Sequence, residues 1–187
     1  MPKIISDPET GELRYDGANP ESLEHYIRYK AVQDQFSGNN CTYVVYDRFV
    51  KCAIAYFSLK AGTVRLYDPG AGDEYVELLP GIELSMFAVN NEYTQYTKNR
   101  IRRINGIGAG EYVYRKYVLP IIRDVSEKIG VNILFLFALP DENLIKYYKE
   151  HLGFCIPEKD EIKRCKPYTP SFDEGCIFMY QMIKPQF

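Results

Sequence analysis

The chain has 187 residues, 46% of them hydrophobic and 26% charged, which suits a single compact domain over residues 1–187. Its 23 lysines and arginines against 25 acidic residues leave a formal net charge of −2, so any anion-binding site must be local. No apolar run approaches the roughly 18 to 20 residues that cross a bilayer, and Met1–Thr10 lacks the basic-then-apolar order of a signal peptide. These features predict a cytoplasmic protein with no membrane partner.

Five cysteines and two histidines give little support to metal or disulfide chemistry. The cysteines are odd in number and none has CxxC spacing, whereas a zinc site needs closely spaced soft ligands and a disulfide framework needs pairs. We therefore expect free thiols and no metal.

The first half of the chain predicts one helix and three strands. Asn19-Pro20-Glu21 supplies a helix cap, a proline at the first helical position and an early acid, and apolar residues follow at fourfold spacing as far as Phe36. Runs of β-branched and aromatic residues predict an antiparallel hairpin and a third strand entered after Pro80-Gly81. The predicted strands are Thr42–Tyr46, Lys51–Leu59 and Ile82–Val89.

The second half begins with a polar segment, Asn90–Asn105, and then a long amphipathic helix that Pro120 should kink and Gly130 should end. An almost wholly apolar run, Val131–Ala138, predicts a strand buried on both faces. A helix near 141–151, a strand beginning at Gly153-Phe154 and a last strand at 176–183 complete the order. This order predicts an α/β fold, with a mixed sheet and helices packed on it.

A glycine-rich turn carries the clearest chemical signal. Gly106-Ile107-Gly108 lies between a predicted strand and a predicted helix, where small residues let a phosphate approach unpaired N–H groups at the helix start. The spacing differs from the GxGxxG of dinucleotide-binding proteins, and the Gly-Lys-Ser/Thr of a nucleotide-binding P-loop is absent. A helix-entry turn without a ligand would give the same pattern.

At these residues the chain resembles the GNAT superfamily of acyl-CoA-dependent N-acetyltransferases. The family signature, Arg or Gln-x-x-Gly-x-Gly or Ala, is matched by Arg103, Gly106 and Gly108. Ile82–Val89 is similar to the strand that precedes this signature, and the segment from Asp141 to Phe154 is similar to the family's later helix followed by Gly-Phe.

The resemblance implies a single-domain GNAT fold, with a mixed and mostly antiparallel central sheet that is flanked by helices and splays open at the cofactor-binding strands. It implies acetyl-CoA as acyl donor and a primary amine of an unidentified acceptor as its partner. The implied cofactor contacts are Phe87, Ala88, Val89, Arg103, Ile104, Asn105, Gly106, Ile107, Gly108, Ala109, Gly110 and Asn143.

The resemblance also implies two catalytic residues. Tyr148 would protonate the departing CoA thiolate, and Glu83 would accept the proton of the attacking amine. A packed helix tyrosine and an ordinary strand carboxylate explain the same residues without catalysis, and His25 and His151 are further possible bases.

Two departures from the family pattern stand out. Between Val89 and Arg103 the family usually has only a few residues, so Asn90–Arg102 contains an insertion of about nine, whose loop could reshape the acceptor entrance. About one extra residue separates Tyr148 from Gly153-Phe154. Asp141 replaces the usual asparagine.

A narrower likeness, over Leu23–Gln33, Thr42–Val45 and Tyr56–Gly62, is to the GNAT-type toxins of toxin–antitoxin modules, which acetylate aminoacyl-tRNA. Few basic residues are available for RNA, so nucleic acid is expected only under this alternative. A catalytically silent CoA-binding or protein-interaction domain is a second alternative. A homodimer is compatible with all of these functions. The basic residues near the glycine turn are Lys98, Arg100, Arg102, Arg103, Arg115 and Lys116.

Overall fold

The computed structural model describes residues 5–6, 13–14, 21–67, 75–100, 107–158, 165–167 and 175–183. The chain forms two compact units, the first from residues 1–59 and 85–119 and the second from residues 60–84 and 120–187. Within the described ranges, no helix combines the length and the apolar character needed to cross a membrane.

Eight strands and four helices make up the described chain. The strands are β1 (Ile5–Ser6), β2 (Leu13–Arg14), β3 (Cys41–Asp47), β4 (Cys52–Tyr67), β5 (Tyr75–Val89), β6 (Ile133–Ala138), β7 (Cys165–Pro167) and β8 (Ile177–Met182). Three helices each contain a π-helical turn. Helix α1 consists of Glu21–His25, the π-helical turn Tyr26–Lys30 and Ala31–Phe36. Helix α3 consists of Ala109–Val113, the π-helical turn Tyr114–Val118 and Leu119–Ile129, and helix α4 consists of Glu142–Tyr147 and the π-helical turn Tyr148–Leu152. The remaining helix, α2, is Asn91–Arg100.

The main sheet is mixed, as predicted. Its strand order is β3-β4-β5-β6-β8, with β7 paired to β4, while β1 and β2 form a separate pair. The β3–β4, β4–β7 and β6–β8 ladders are antiparallel, and the β5–β6 ladder is parallel.

In the first unit, α1 buries its apolar face against β4 and β5. Tyr26, Ala31 and Tyr56 form the buried cluster, and Met86 and Ala88 pack against it. The Tyr56 hydroxyl donates to the Leu23 carbonyl at 2.8 Å, so this ring fills the core while its polar end stays bonded.

A chain of hydroxyl groups connects the strands beneath α1. Thr42 Oγ1 on β3 lies 2.8 Å from Ser58 Oγ on β4, and Ser58 is fully buried. The Ser85 hydroxyl on β5 lies 3.2 Å from the Ser58 carbonyl and donates to Asn40 Oδ1 at 2.7 Å. Because buried polar groups are costly without partners, this network fixes the relative position of the strands that carry it.

In the second unit, β6 is buried on both faces, as its apolar sequence predicts. Ile133 and Phe135 of β6 pack with Val64 of β4 in one cluster. A Cβ atom on Gly81 would lie 2.8 Å from both Phe135 Cε1 and Ile133 Cγ2, so a larger residue there would force one of these buried side chains to shift.

The long helix α3 confirms the predicted helix and its predicted end. Gly130 has φ of +69°, and its N–H donates to the Ser126 carbonyl. The π-helical turn Tyr114–Val118 comes just before Pro120, which lacks an N–H and whose ring crowds the carbonyl four residues back.

Three expectations were wrong. Asn90–Arg100 is not a loop but carries helix α2, which begins where Asn90 Oδ1 accepts from the Glu92 N–H at 2.9 Å. Pro80-Gly81 lies inside β5 rather than before it. The strand expected at Gly153-Phe154 is a single bridge from Cys155 to Tyr180, because the chain leaves the sheet after one pair of hydrogen bonds.

Candidate active site

The glycine turn opens α3 without a side-chain cap. Gly108 is the residue before the first helical turn, with φ −70° and ψ 156°, and its carbonyl accepts from the Tyr112 N–H at 2.9 Å. The N–H groups of the first turn, from Ala109 onwards, therefore lack the intrahelical partners that later residues have. No atom of the residues that the structure describes lies within 4 Å of the point where a Gly108 Cβ would be, so these residues leave space open beside the donors.

Of the predicted cradle, Ile107, Gly108, Ala109 and Gly110 lie in the described chain, with Gly108 exposed and Gly110 buried. The other four residues, Arg103, Ile104, Asn105 and Gly106, lie outside the described residues.

A buried carboxylate at the start of α3 was not predicted from the sequence. Glu111 is 8% exposed and lies in the stripe that Tyr114 and Val118 continue, where an apolar residue is the usual choice. Arg115 Nε donates to Glu111 Oε1 at 2.9 Å. The arginine balances a negative charge next to the N–H groups that would face an anion, and the four-residue spacing of the pair is the signal that predicts it.

The end of β5 presents its side chains to two different helices. Phe87 packs against Tyr114 of α3, with ring centroids 6.5 Å apart, whereas Ala88 packs into the cluster beneath α1. Residues Ser85–Asn90 are all partly exposed, unlike the buried Gly81–Leu84 before them. Phe87, Ala88 and Val89 thus lie on a partly accessible stretch of strand.

The parallel ladder between β5 and β6 is short. It pairs Gly81 with Ile133, Ile82 with Leu134 and Glu83 with Phe135, although β6 continues to Ala138. The Leu136–Ala138 stretch pairs with β8 on its other side. The pairing of β5 with β6 therefore ends at Glu83.

Tyr148 is buried at the point where α4 changes to a π-helical turn. The Tyr148 carbonyl accepts from the Gly153 N–H, at the left-handed end of the helix, and from the Phe154 N–H at 3.0 Å. A π-helical turn holds one more residue than an α-helical turn, so it absorbs the extra residue predicted between Tyr148 and Gly153. Burial, together with the neighbouring Tyr147, raises the pKa of the Tyr148 phenol well above its ordinary value.

Glu83 has a partner that the sequence did not predict. This residue of β5 is 7% exposed, and its Oε1 atom lies 2.9 Å from Lys60 Nζ on β4. No spacing rule links positions in strands whose register is unknown, so the ion pair becomes visible only when the strands are placed. Any proton-accepting role of Glu83 must work beside this ammonium group.

The remaining predicted residues lie on helix surfaces. Asn143 is exposed in the first turn of α4, where Asp141 Oδ1 accepts from the Leu144 N–H at 2.8 Å. His25 packs its ring 4.8 Å from that of Tyr29, and the His151 ring lies 5.2 Å from that of Tyr147. Each of these histidines thus packs against a tyrosine ring of its own helix.

The insertion is fixed to the β3–β4 turn. The hydroxyl of the buried Tyr93 on α2 donates to Asp47 Oδ2 at 3.0 Å, and Asp47 Oδ1 accepts from the N–H groups of Phe49 and Val50. Burial and the Asp47 carboxylate raise the pKa of Tyr93 to about 12, while the Val50 N–H lowers the pKa of Asp47. This helix is therefore a positioned element beside the end of β5.

No cluster of three or more metal-ligating side chains occurs in the part of the chain that the structure describes. No model of a known protein family matches the sequence, and no curated protein matches it.

Solved structures of bacterial toxins share the fold. A tyrosine-to-phenylalanine mutant of the AtaT toxin, bound to acetyl-CoA and the C-terminus of the antitoxin AtaR, aligns with TM-score 0.57 and 14% identity over 87% of this chain and 79% of its own. AtaT complexed with acetyl-methionyl-tRNAfMet gives TM-score 0.56 and 12% identity over 87% and 82%. A tyrosine-to-phenylalanine mutant of KacT gives TM-score 0.56 and 17% identity over the same shares. The protein has the GNAT fold, as these toxin structures do.

Proposed function

We propose that this protein transfers the acetyl group of acetyl-CoA to a primary amine. The observation that carries the proposal is the open, uncapped helix start at Gly108, in a fold that solved neighbours use with acetyl-CoA bound. The protein would act in the cytoplasm.

The residues present fit the cofactor. A pyrophosphate needs donors without a competing side chain, and Gly108, Ala109 and Gly110 bring N–H groups with almost no side-chain bulk. Arg103–Gly106, with the signature arginine, would complete the cradle. When bound, acetyl-CoA supplies an activated acetyl thioester, and Phe87–Val89 would lie along its pantetheine arm, with a backbone N–H there polarising the acetyl carbonyl.

Two side chains would handle protons. Tyr148 would give its phenolic proton to the departing sulfur, and its raised pKa keeps that proton in place throughout the physiological range. Glu83 would accept the proton released by the amine as the C–N bond forms. Lys60, in contact with the same carboxylate, would position it.

Cofactor binding tests the proposal directly. Gly108→Asp should abolish acetyl-CoA binding measured by calorimetry, because its side chain fills the phosphate space and adds a like charge. Asn132→Asp adds the same charge at an exposed position in the second unit and should leave affinity unchanged. Equal affinities for the wild type and Gly108→Asp would contradict the proposed site.

A second candidate is transfer to the amino group of an aminoacyl-tRNA. One neighbour, AtaT, is complexed with acetyl-methionyl-tRNAfMet. The described start of α3 offers two exposed basic residues, Arg115 and Lys116, of which Arg115 already contacts Glu111. Because the chain as a whole has a net charge of −2, it does not attract RNA, so a smaller amine is the acceptor that we favour.

A further inference from the structure

Lys60 and Glu83 form an ion pair on one face of the sheet in the second unit. Lys60 Nζ on β4 lies 2.9 Å from Glu83 Oε1 on β5, and the two side chains are 25% and 9% exposed. The pair between Lys128 and Asp124 differs, because it joins neighbouring turns of one helix and leaves both side chains more than half exposed. Lys60 therefore holds a primary amine against a largely buried carboxylate.

The ring of Phe135 on β6 packs beside this ion pair. A Cβ atom on Gly81, two residues before Glu83, would lie 2.8 Å from Phe135 Cε1, and a Cβ atom on Gly62, two residues after Lys60, would overlap the same ring. Residues two apart on a strand share a face, so the ring lies on the face that carries the ion pair. Because Gly81 precedes Glu83 on β5, the ring obstructs movement of Nζ towards the start of this strand.

We propose, building on the proposed function, that the protein acetylates its own Lys60 when no outside amine is bound. Glu83 would accept a proton from the acceptor amine, so that amine must lie within hydrogen-bonding distance of the Glu83 carboxylate. Lys60 Nζ already has this position, and its flexible four-carbon stem lets the nitrogen move while the strand stays in place. A tethered amine also has a high effective concentration compared with an amine in solution.

The transfer balances with the residues already assigned to the reaction. Glu83 takes one proton from the Lys60 ammonium, and the freed nitrogen attacks the acetyl carbon, so that a C–N bond forms as the C–S bond breaks. Tyr148 protonates the departing sulfur, and the second proton lost from the nitrogen restores the Tyr148 phenol. Glu83 then releases its proton to water. The products are acetylated Lys60, free CoA and one proton.

Acetylation of Lys60 would switch the site off. The resulting amide is neutral, so the buried Glu83 carboxylate loses the positive charge beside it. Removal of one charge from a buried ion pair is costly, because the remaining charge was taken out of water together with its partner. The acetyl group also occupies the position that an outside amine needs. We therefore expect protein that has modified itself to be a slower acetyltransferase.

Mass spectrometry after incubation with ¹³C-acetyl-CoA tests the modification. Lys60 of the wild type should be labelled at least about tenfold faster than the exposed Lys128, because Lys60 is held at the proposed base. In Gly108→Asp, Lys60 should be labelled no faster than Lys128.

Two outcomes would overturn this inference and leave the proposed function intact. The first is a wild type that acetylates outside amines while its Lys60 stays unlabelled. The second is equal labelling of Lys60 in the wild type and in a Gly108→Asp variant that no longer binds acetyl-CoA, since the reaction would then not be enzymatic. Loss of all transfer, to Lys60 and to outside amines alike, would overturn both.

A mixing experiment distinguishes transfer within one chain from transfer between chains. A ¹⁵N-labelled Gly108→Asp chain mixed with the unlabelled wild type should stay unacetylated at Lys60, because Lys60 reacts at the site of its own chain. Acetylation of the ¹⁵N-labelled chain at the wild-type rate would contradict the inference.

Lys60→Arg separates the modification from the ion pair, since arginine keeps a positive charge beside Glu83 but has no primary amine. Each protein is incubated with acetyl-CoA, and its turnover of an outside amine is compared with its own starting rate. The wild type should lose most of its rate, and Lys60→Arg should not decline. Acetylation should also lower the melting temperature of the wild type by about 2 °C or more. A fully acetylated wild type with unchanged turnover and melting temperature would overturn the switch.

Discussion

Tyr148 combines burial with a chemical role in the proposed reaction. Tyr148→Phe should lower kcat by about 10² to 10⁴ while acetyl-CoA affinity stays unchanged, since only the proton donor is lost. The neighbouring Tyr147→Phe, whose ring lies 6.2 Å from that of Tyr148, is the matched control and should keep near-normal turnover. Turnover of Tyr148→Phe close to the wild-type value would assign the proton to Tyr147 or to water.

The pH dependence of the wild type follows from the same residue. A raised pKa means that the neutral phenol is favoured in the folded protein, so loss of the Tyr148 proton should not reduce kcat below about pH 10. A falling limb near neutral pH that Tyr148→Phe removes would contradict this assignment.

At the scale of the element, side chains of β6 leave little room for a side chain at Gly81 on the neighbouring strand β5. Gly81→Ala should lower the free energy of unfolding by about 1 to 3 kcal/mol, because the new methyl group meets Phe135 and Ile133, both buried. Gly108→Ala, whose added atom meets no atom of the described residues, should change stability by less than about 0.5 kcal/mol. Urea titrations of the two variants measure the contrast, and equal stabilities would contradict the packing described.

Helix α2 is fixed by a titratable contact. The pKa of Tyr93 is about 12 in the folded protein, against its ordinary value of 10.0. The stability that the neutral Tyr93 phenol contributes is therefore complete below pH 10 and is lost as pH rises towards 12. Over this interval the wild type should lose about 1 to 2 kcal/mol relative to Tyr93→Phe, which does not titrate there. Tyr29→Phe, at an exposed position, should follow the wild type, and parallel curves for the wild type and Tyr93→Phe would place α2 elsewhere.

Elements with a strong periodic or compositional signal could be predicted from the sequence. The apolar run of β6, the end of α1 at Phe36 and the end of α3 before Gly130 are local properties, and all three predictions were correct. The predicted cap of α1, Asn19-Pro20, lies outside the described residues. Helix α2 was missed because its residues are mostly polar, and its stabilising contact, from Tyr93 to Asp47, joins positions far apart in sequence. The Lys60–Glu83 pair was missed for the same reason, since strand register decides it.

For the whole molecule, net charge separates the two acceptor classes. A body with a net charge of −2 repels RNA unless it carries an extensive basic patch, so we expect cells to tolerate expression of the chain. The double variant with Arg100→Glu and Arg102→Glu should change the affinity for acetyl-CoA more than it changes the affinity for RNA. Growth arrest with acetylated aminoacyl-tRNA detected by mass spectrometry, and tRNA binding that weakens steeply with salt, would decide for the toxin function instead.

Because a π-helical turn begins at Tyr148, the number of residues in α4 affects the geometry of the candidate site. Deleting one residue from Lys149–His151 would let α4 finish as a regular α-helix, a change that the helix can absorb without breaking. Each residue of an α-helix advances the side-chain direction by about 100°, so the phenol of Tyr148 would turn by that angle relative to Phe154. Insertions and deletions here, rather than substitutions, would be the mutations that preserve the fold while relocating the proposed acid.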